Sequence, residues 1–426
     1  MIRRNESIIE EIQKRPFVRP LIFWLLGILL YVYFPLQPVS FALPVAAFGF
    51  IAVSFFFTGK SYPNFDDRWV WGILFACLTV FLAIQTSALR EASFQFPSKP
   101  GLLLQKAREM QQMMVGKLDA LRLSERDKAV LAMLTVNYTT VVSFEIRNMF
   151  SVTGVVHILS VSGYHVGIVG AFVGLTLSVI PNRTRAIRIL KYLIIILFVW
   201  VFTFVAGLGT ATVRAAVMIT IFLIANILNR YSDRYNILAG AAFCMLVYNP
   251  FYLFDIGFQL SYVAVFFLLY LQPKFSKLLE IRNPLLKIPW EVLTVTLAAQ
   301  IGTLFLCYYY FGSGSLVFLF TNLSMSLLSS LIIPATLIFM VLPAGLPGSV
   351  ILQLIIEYTT RWMMWVVERF SEMPYAYYSM RFDFGTMVLS YIAMFLFLIY
   401  LKNRTFKLLL FTFLILLLIL LKNILP

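Results

Sequence analysis

The sequence predicts an all-α, polytopic membrane protein, and three observations support this prediction. Of the 426 residues, 61% are hydrophobic and only 12% are charged, whereas about a quarter of the residues of a soluble protein are charged. The mean hydropathy is +0.88, and apolar runs near the roughly 20 residues that span a bilayer recur from end to end. These runs do not alternate polar and apolar residues, so helices are favoured over a closed barrel.

The apolar runs predict about thirteen membrane spans, some of them broken. In chain order we place them at residues 17–34, 39–57, 69–89, 152–180, 192–206, 210–228, 235–249, 256–272, 290–311, 315–342, 350–369, 385–401 and 406–424. Pro334 could divide the run at 315–342 into two shorter helices. The first run follows a basic stretch that resembles the start of a signal peptide. We interpret it as a retained span, because the next apolar run covers the conceivable cleavage site.

The formal net charge of +15 raises the question of a nucleic-acid partner, but most of it follows the positive-inside rule. With a cytoplasmic N-terminus and alternating spans, the basic clusters fall on the cytoplasmic side. They comprise Lys60, Arg68, Arg183, Arg185, Arg188, Lys191, Arg230, Arg234, Lys274, Lys277, Arg282, Lys287, Lys402, Arg404 and Lys407. We therefore expect a multi-pass protein of the bacterial inner membrane with a cytoplasmic N-terminus.

Residues 90–147 form the one long polar segment, and we expect it to be helical and extracytoplasmic. Apolar residues recur there at three- and four-residue spacing, as in an amphipathic helix that lies on a membrane surface. They are Leu103, Ala107, Met110, Met114, Leu118 and Leu121. A second helix is expected to begin at Ser124, whose hydroxyl can cap the backbone amide near Asp127. The acidic and basic residues of the segment nearly balance, which argues against a nucleic-acid arm.

The stretch HILSVSGYH holds both histidines of the chain, His157 and His165. Ser162 and Gly163 can unwind a turn, and irregular backbone in a membrane is tolerated where it faces protein or water. Such a break suits an anionic cargo, although Ser160, Ser162 and the histidines could instead be hydrogen-bonding residues between helices. A Ser-His hydrolase lacks a Gly-x-Ser-x-Gly elbow here, and two histidines without adjacent carboxylates make no zinc site.

Arg214 stands inside the apolar stretch GLGTATVRAAVM, at residues 207–218. An arginine within a membrane span is expensive and usually faces the bundle interior or an aqueous path. One reading is a residue that snorkels from a helix end. The other is a guanidinium that meets a phosphate or a partner carboxylate such as Asp255.

A third stretch, NPFYLFDIGFQLSYVAV at residues 249–265, brings Asp255, Gln259 and Ser261 into an apolar region. Alone it is ordinary, since Gln and Ser often join membrane helices. Together the three stretches bend helices and supply polar groups, as a translocation path requires. The three cysteines, Cys77, Cys244 and Cys307, lie in predicted spans and are expected to behave as small apolar residues.

These stretches together resemble the competence domain of the ComEC family over roughly residues 100–345. The family's His-Leu-Leu-x-x-Ser-Gly-x-His-Val pattern is similar to residues 157–166, its Arg-Ala pair to Arg214 and Ala215, and its Gly-Phe-Gln-Leu-Ser run to residues 257–261. A further family stretch is similar to residues 298–322. The chain departs from the pattern at residues 209–211, where Ser-Pro-Ser is expected, and at Tyr164, where leucine is expected.

The resemblance implies a channel component for the inward transport of single-stranded DNA in natural transformation. Arg214 would contact phosphate, Ser162 and Gly163 would open a cavity, and His157, His165 and Gln259 would line or brace it. The implied partners are single-stranded DNA, membrane lipid, a cytoplasmic motor, and separate DNA-binding and nuclease proteins, with oligomers also open. We expect no enzymatic activity, catalytic residue, metal or cofactor. Two alternatives to this function remain. The chain could transport a small anion or an envelope precursor, or it could be a remnant of the family without transport.

We expect four regions along the chain. Residues 1–89 form a three-span N-terminal region, 90–147 the extracytoplasmic segment, 148–345 the competence-type membrane domain and 346–426 the C-terminal spans. Longer ComEC relatives also carry an OB-fold and a metallo-β-lactamase-like nuclease. We expect neither, because residues 90–147 are short and helical, and a two-metal nuclease needs clustered histidines.

Overall fold

A computed structural model describes residues 15–34, 48–49, 51–52, 68–95, 101–139, 142–228, 233–342 and 347–424. In these ranges the helices are α1 (Val18–Tyr33), α2 (Arg68–Gln95), α3 (Leu102–Gly116), α4 (Glu125–Val136), α5 (Phe144–Val152), α6 (Val156–Leu159), α7 (Gly163–Ser178), α8 (Arg185–Val205), α9 (Thr210–Ile227), α10 (Arg234–Tyr248), α11 (Ile256–Ser276), α12 (Pro284–Tyr310), α13 (Phe318–Val341), α14 (Pro347–Ser371), α15 (Phe384–Asn403) and α16 (Phe406–Ile424). Short 3-10 turns cover Lys117–Ala120 and Pro250–Phe254, and the strands are β1 (Ser313–Ser315) and β2 (Tyr377–Ser379). The predicted all-α class is confirmed.

Seven helices of the described part are long and apolar enough to cross a membrane. They are Gly72–Ala92, Arg185–Val205, Thr210–Ile227, Ile256–Ser276, Pro284–Tyr310, Phe318–Val341 and Phe384–Asn403. Val18–Tyr33 and Gly163–Ser178 are shorter apolar helices. The polytopic membrane class is therefore confirmed, and the count of about thirteen spans stays a prediction. The predicted span at 39–57 falls largely outside the described residues.

Two predicted spans have a different form in the structure. The run at 315–342 is one helix, Phe318–Val341, with Pro334 inside it, and is not divided there. The run at 152–180 is not one helix. It contains the last residue of α5 and the whole of α6 and α7. Backbone capping breaks this second run, as described below for the candidate site.

The described chain forms two compact units, and we treat each by itself. The first comprises Met1–Glu109 and Gly170–Tyr262, and the second comprises Met110–Val169 and Val263–Pro426. In the first unit, a buried apolar cluster joins α1, α2, α10 and α11. Its members include Trp24, Ile28, Ala83, Met245 and Phe258. In a bilayer such a cluster is stabilised by close van der Waals packing, because lipid tails are as apolar as these side chains.

The second unit contains most of the polar segment predicted at residues 90–147. As predicted, α4 begins after Ser124, whose Oγ accepts a hydrogen bond from the Asp127 amide at 3.1 Å. Residues 129–136 of α4 are all buried. This helix is thus packed within the unit. On α3, Ala107 is buried and Met110 and Met114 are half-buried, as expected for the apolar face, whereas Leu103 of the same predicted face is 64% exposed.

Polar contacts attach the turn between α3 and α4 to α13 and α14. The Lys117 ammonium donates to the Met340 carbonyl at 2.5 Å, and the buried Glu357 carboxylate accepts from the Arg122 amide at 2.7 Å. Arg361 donates to the Arg122 carbonyl at 2.6 Å. Charge-assisted hydrogen bonds of this kind are stronger than neutral ones, so they fix the segment against α14.

The same unit also contains a two-stranded antiparallel sheet of β1 and β2. Ser313 pairs with Ser379, and Ser315 pairs with Tyr377. The Leu316 amide donates to the Ala376 carbonyl at 2.8 Å. These backbone bonds connect the segment after α14 to the segment after α12.

Candidate functional site

The stretch around the histidines is a break between two helices in the second unit. Helix α6 ends at Leu159, and Ser160 is extended, with φ −89° and ψ 140°. Helix α7 begins at Gly163. The sequence predicted an unwound turn at Ser162 and Gly163, and the structure has its irregular residues at 160–162.

His165 caps the start of α7. Its Nδ1 accepts a hydrogen bond from the Ser162 backbone amide at 3.1 Å, and the Ser162 Oγ lies 2.9 Å from the same nitrogen. The arrangement corresponds to a capping box, in which a side chain three residues into the helix reaches back to the N-cap amide. Since an amide can only donate, Nδ1 is the acceptor, and the neutral ring carries its proton on Nε2.

The two histidines have different surroundings. His165 is fully buried, and its Nε2 has no hydrogen-bond partner in the part of the chain that the structure describes. His157 and Ser160 are exposed, and the Ser160 hydroxyl is 3.5 Å from the His157 carbonyl. The structure therefore separates a buried capping histidine from an exposed polar pair.

Two contacts that the sequence did not reveal support the break. The Asn137 Oδ1 accepts from the Val161 amide at 3.3 Å, and Asn137 has a positive φ of 59° at the end of α4. The Tyr164 hydroxyl donates to the Ser326 carbonyl on α13 at 2.8 Å. The sequence offered one signal, because an asparagine directly after a helix favours a left-handed C-cap. It gave no sign that Asn137 would contact Val161, 24 residues away.

We predict that His165 is needed for folding through Nδ1. Replacing it by leucine leaves the part-buried Ser162 amide without its acceptor, at a cost of about 1–3 kcal/mol. His165→Asn supplies an acceptor oxygen near the position of Nδ1 and should keep the protein level close to normal. The measurement is the amount of protein in purified membranes.

His157→Leu is the matched control, because His157 is exposed. A leucine at His165 that leaves the membrane level as high as the His157 control would contradict the capping role.

The Arg214 guanidinium is buried in the first unit. It lies in the second turn of α9, inside a candidate membrane span, and is 4% exposed. Its Nη1 is 3.5 Å from the Asp255 Oδ1. Hydrogen-bonded arginine–carboxylate pairs are typically 2.7–2.9 Å apart, so this contact is loose. The Nε is buried and has no hydrogen-bond partner among the described residues.

Asp255 has a second role as the cap of α11. Its Oδ1 accepts from the Phe258 amide at 2.7 Å, which satisfies one of the free amides at the helix start. A Cβ at Gly257 would lie 3.1 Å from the Arg214 Nη2. Glycine at this position therefore lets the guanidinium approach the helix backbone.

The other predicted residues of this stretch are also on α11. The Gln259 amide nitrogen donates to the Leu253 carbonyl at 2.9 Å and so braces the turn at Pro250–Phe254. Ser261 is half-buried on the same helix. Tyr262, which the sequence analysis did not single out, has a buried hydroxyl without a partner in the described residues.

The described ranges contain no group of three or more His, Cys, Asp or Glu residues that could hold a metal ion. The candidate residues described above offer hydrogen-bonding groups and the charges of Arg214 and Asp255. A buried guanidinium with unused donors can bind an oxyanion in a low-dielectric setting.

Comparison with known proteins gives a family and a relative. A sequence model described as "Competence protein" matches residues 134–405. The chain is 27% identical over 241 residues to ComE operon protein 3 of Bacillus subtilis (strain 168). The aligned part is 55% of this chain and 28% of that relative, so the similarity spans less than a third of the relative. No solved structure matches the chain significantly.

Proposed function

Because this chain belongs to the Competence protein family, we propose that it is an inner-membrane channel component for the inward transport of single-stranded DNA. The family points to a transport component, and we propose that the chain itself is not an enzyme. The cargo and the separate motor, DNA-binding and nuclease proteins follow from the ComEC resemblance. The sequence has no Walker-type nucleotide loop, so a separate protein would supply the driving force.

The buried guanidinium of Arg214 is the observation that carries the proposal. Each phosphate of a DNA strand carries a negative charge that is costly to move into an apolar medium. A cation already placed in a candidate span reduces that cost through charge-assisted hydrogen bonds. The 3.5 Å separation from Asp255 and the unpartnered Nε leave donors for a phosphate oxygen.

The helix break at 160–162 supports the same function from the second unit. Irregular backbone within a membrane is tolerated where it lines water or protein. The exposed His157 and Ser160 side chains would give such a lining hydrogen-bonding groups. These groups are neutral or weakly basic and would let a polyanion pass without holding it.

Our proposed orientation has a cytoplasmic N-terminus and an extracytoplasmic segment at residues 90–147. We predict that Ser98→Cys reacts with a membrane-impermeant thiol reagent on intact cells and that Ser232→Cys does not. Both positions lie outside the described residues. Cys77, Cys244 and Cys307 are replaced by alanine first, so that only the introduced thiol can react.

Permeabilised cells serve as the control, because both cysteines should then be labelled. External labelling at position 232 with protection at position 98 would reverse the topology.

The functional test is DNA uptake in a deletion strain that carries the wild-type gene or its Arg214 variants. The proposal expects the deletion to abolish transformation and the wild-type gene to restore it. Unchanged transformation in the deletion strain would favour transport of a small anion or an envelope precursor, or a remnant without transport.

A further inference from the structure

A cleft of about 440 Å³ lies in the second unit, between the end of α14 and strand β2. Its lining consists of Val152, Ser371, Met373, Tyr375, Ala376, Tyr377, Tyr378 and Ser379. Three of these eight residues are tyrosines and two are serines. The volume falls in the range of ligand pockets, which hold aromatic surfaces and a few hydroxyl groups in this way.

Backbone contacts fix the floor of the cleft. Ala376 is 3% exposed, and its carbonyl accepts from the Leu316 amide at 2.8 Å. The Tyr378 hydroxyl contacts that of Tyr308 on α12, and burial raises the pKa of Tyr378. Tyr378 is therefore a neutral, anchored side chain, and it holds β2 against the bundle.

Tyr375 and Tyr377, on either side of the buried Ala376, have exposed side chains. Tyr375 is 86% exposed and Tyr377 is 54% exposed. Tyr375 also has a φ of +65°, a left-handed conformation that is strained for a bulky side chain. A large aromatic ring that is exposed on a strained backbone contributes little to stability, so its position calls for a function.

Both of these tyrosines line the cleft. Their Cα atoms are at most about 7 Å apart, since two residues extend no further. A flat ligand in the cleft can therefore contact both rings. Stacking between tyrosine and a base is also independent of sequence, as a general DNA channel requires.

Charged residues adjoin the lining of the cleft in sequence. Arg369 and Glu372 form a pair at 3.6 Å, and their side chains are 65% and 69% exposed. Such exposed ionised groups indicate water rather than lipid acyl chains. Arg381 is exposed beside β1, where its Cγ is 3.4 Å from the Cβ position of Gly312. Arginines this close in sequence to the lining could contact the phosphates of a strand whose base enters the cleft.

We propose that Tyr375 and Tyr377 form a clamp for one unpaired nucleobase of single-stranded DNA. This inference rests on the proposed function and adds a binding site for its cargo. In the proposed orientation the clamp lies on the extracytoplasmic side, where the strand enters. A duplex would not enter the clamp, because its bases are stacked and paired.

The test is binding of labelled oligothymidylate to the full-length protein in lipid nanodiscs, compared with an abasic strand of equal length and with a duplex. Wild-type protein should bind the strand with bases at least about tenfold more tightly than the abasic strand. Tyr375→Gly and Tyr377→Ala should each remove most of this difference, and Tyr375→Phe should keep it.

Tyr375→Gly is chosen so that a loss of base preference is not caused by misfolding. Glycine adopts a positive φ without strain, so this variant should be at least as stable as the wild type while it lacks the ring. The matched control is Tyr358→Ala, which removes another exposed tyrosine (68% exposed) from α14. It should bind both strands as the wild type does.

Four results would overturn the clamp. If Tyr375→Gly still preferred the strand with bases, Tyr375 would have no part in binding. If Tyr358→Ala lost the preference equally, the effect of the Tyr375 variant would not be specific to the cleft. Because the protein has seven native tryptophans, the third result is a difference: stronger quenching of Tyr375→Trp than of the wild type by brominated lipid would place the ring in the bilayer. If these variants bind normally while Arg214→Met abolishes uptake, the clamp fails and the proposed function stands. If the wild type binds neither strand, the clamp also fails, and transformation of the deletion strain decides the proposed function separately.

Discussion

Arg214→Met should reduce DNA uptake about 100-fold or more, and Arg214→Lys should reduce it about tenfold, at similar protein levels. A guanidinium offers a fork of hydrogen bonds to phosphate oxygens, whereas lysine offers a compact point charge. Methionine keeps the approximate length and loses the charge. The measurement is transformation frequency divided by the amount of membrane protein in each strain.

The surroundings of Arg214 explain why protein levels should hold. The Asp255 carboxylate keeps its bond from the Phe258 amide at 2.7 Å when Arg214 is removed. Its side chain is 44% exposed, so it is not left as a fully buried, uncompensated charge. The loose contact at 3.5 Å also contributes less than a close ion pair would.

Asp255→Asn is the matched control. It keeps a side-chain oxygen to cap α11 and removes the negative charge near Arg214. If Arg214 acts only as a partner of Asp255, this variant should lose uptake as Arg214→Met does. If Arg214 meets phosphate, the variant should retain uptake. Normal uptake with methionine at Arg214 would remove this residue from the DNA path.

Gly27→Ala should lower the amount and thermal stability of the protein, because it separates α1 from α2. A Cβ at Gly27 would lie 2.6 Å from the Ala83 Cβ and 2.7 Å from the Val80 carbonyl oxygen. A backbone atom cannot turn aside as a flexible side chain can. Overpacking of this kind costs about 1–3 kcal/mol, and small residues are what let membrane helices approach closely.

Gly72→Ala on α2 is the matched control. A Cβ at Gly72 meets nothing within 4 Å, so this change should leave the protein level and the melting temperature unchanged or slightly raised. Both quantities are read from the purified protein by size-exclusion chromatography after heating. Equal stability of the two variants would mean that α1 and α2 do not pack through Gly27.

Composition and local pattern were sufficient for the class of this protein. The low charge content and the repeated apolar runs predicted an all-α membrane protein, because the bilayer selects for length and hydropathy alone. The helix start at Ser124 was also predictable, since a cap and its amide are three residues apart. The break near Ser162 followed from residues that favour non-helical backbone.

Tertiary structure decided which polar groups meet. The two histidines are eight residues apart in sequence, yet only His165 is buried. Asn137 reaches Val161 across 24 residues, and β1 pairs with β2 across more than sixty. No local pattern encodes such contacts, because they depend on how whole helices pack. The sequence analysis named Asp255 as one possible partner of Arg214 but did not single out Tyr375. The cleft at Tyr375 and the 3.5 Å contact of Arg214 with Asp255 both depend on how whole elements pack.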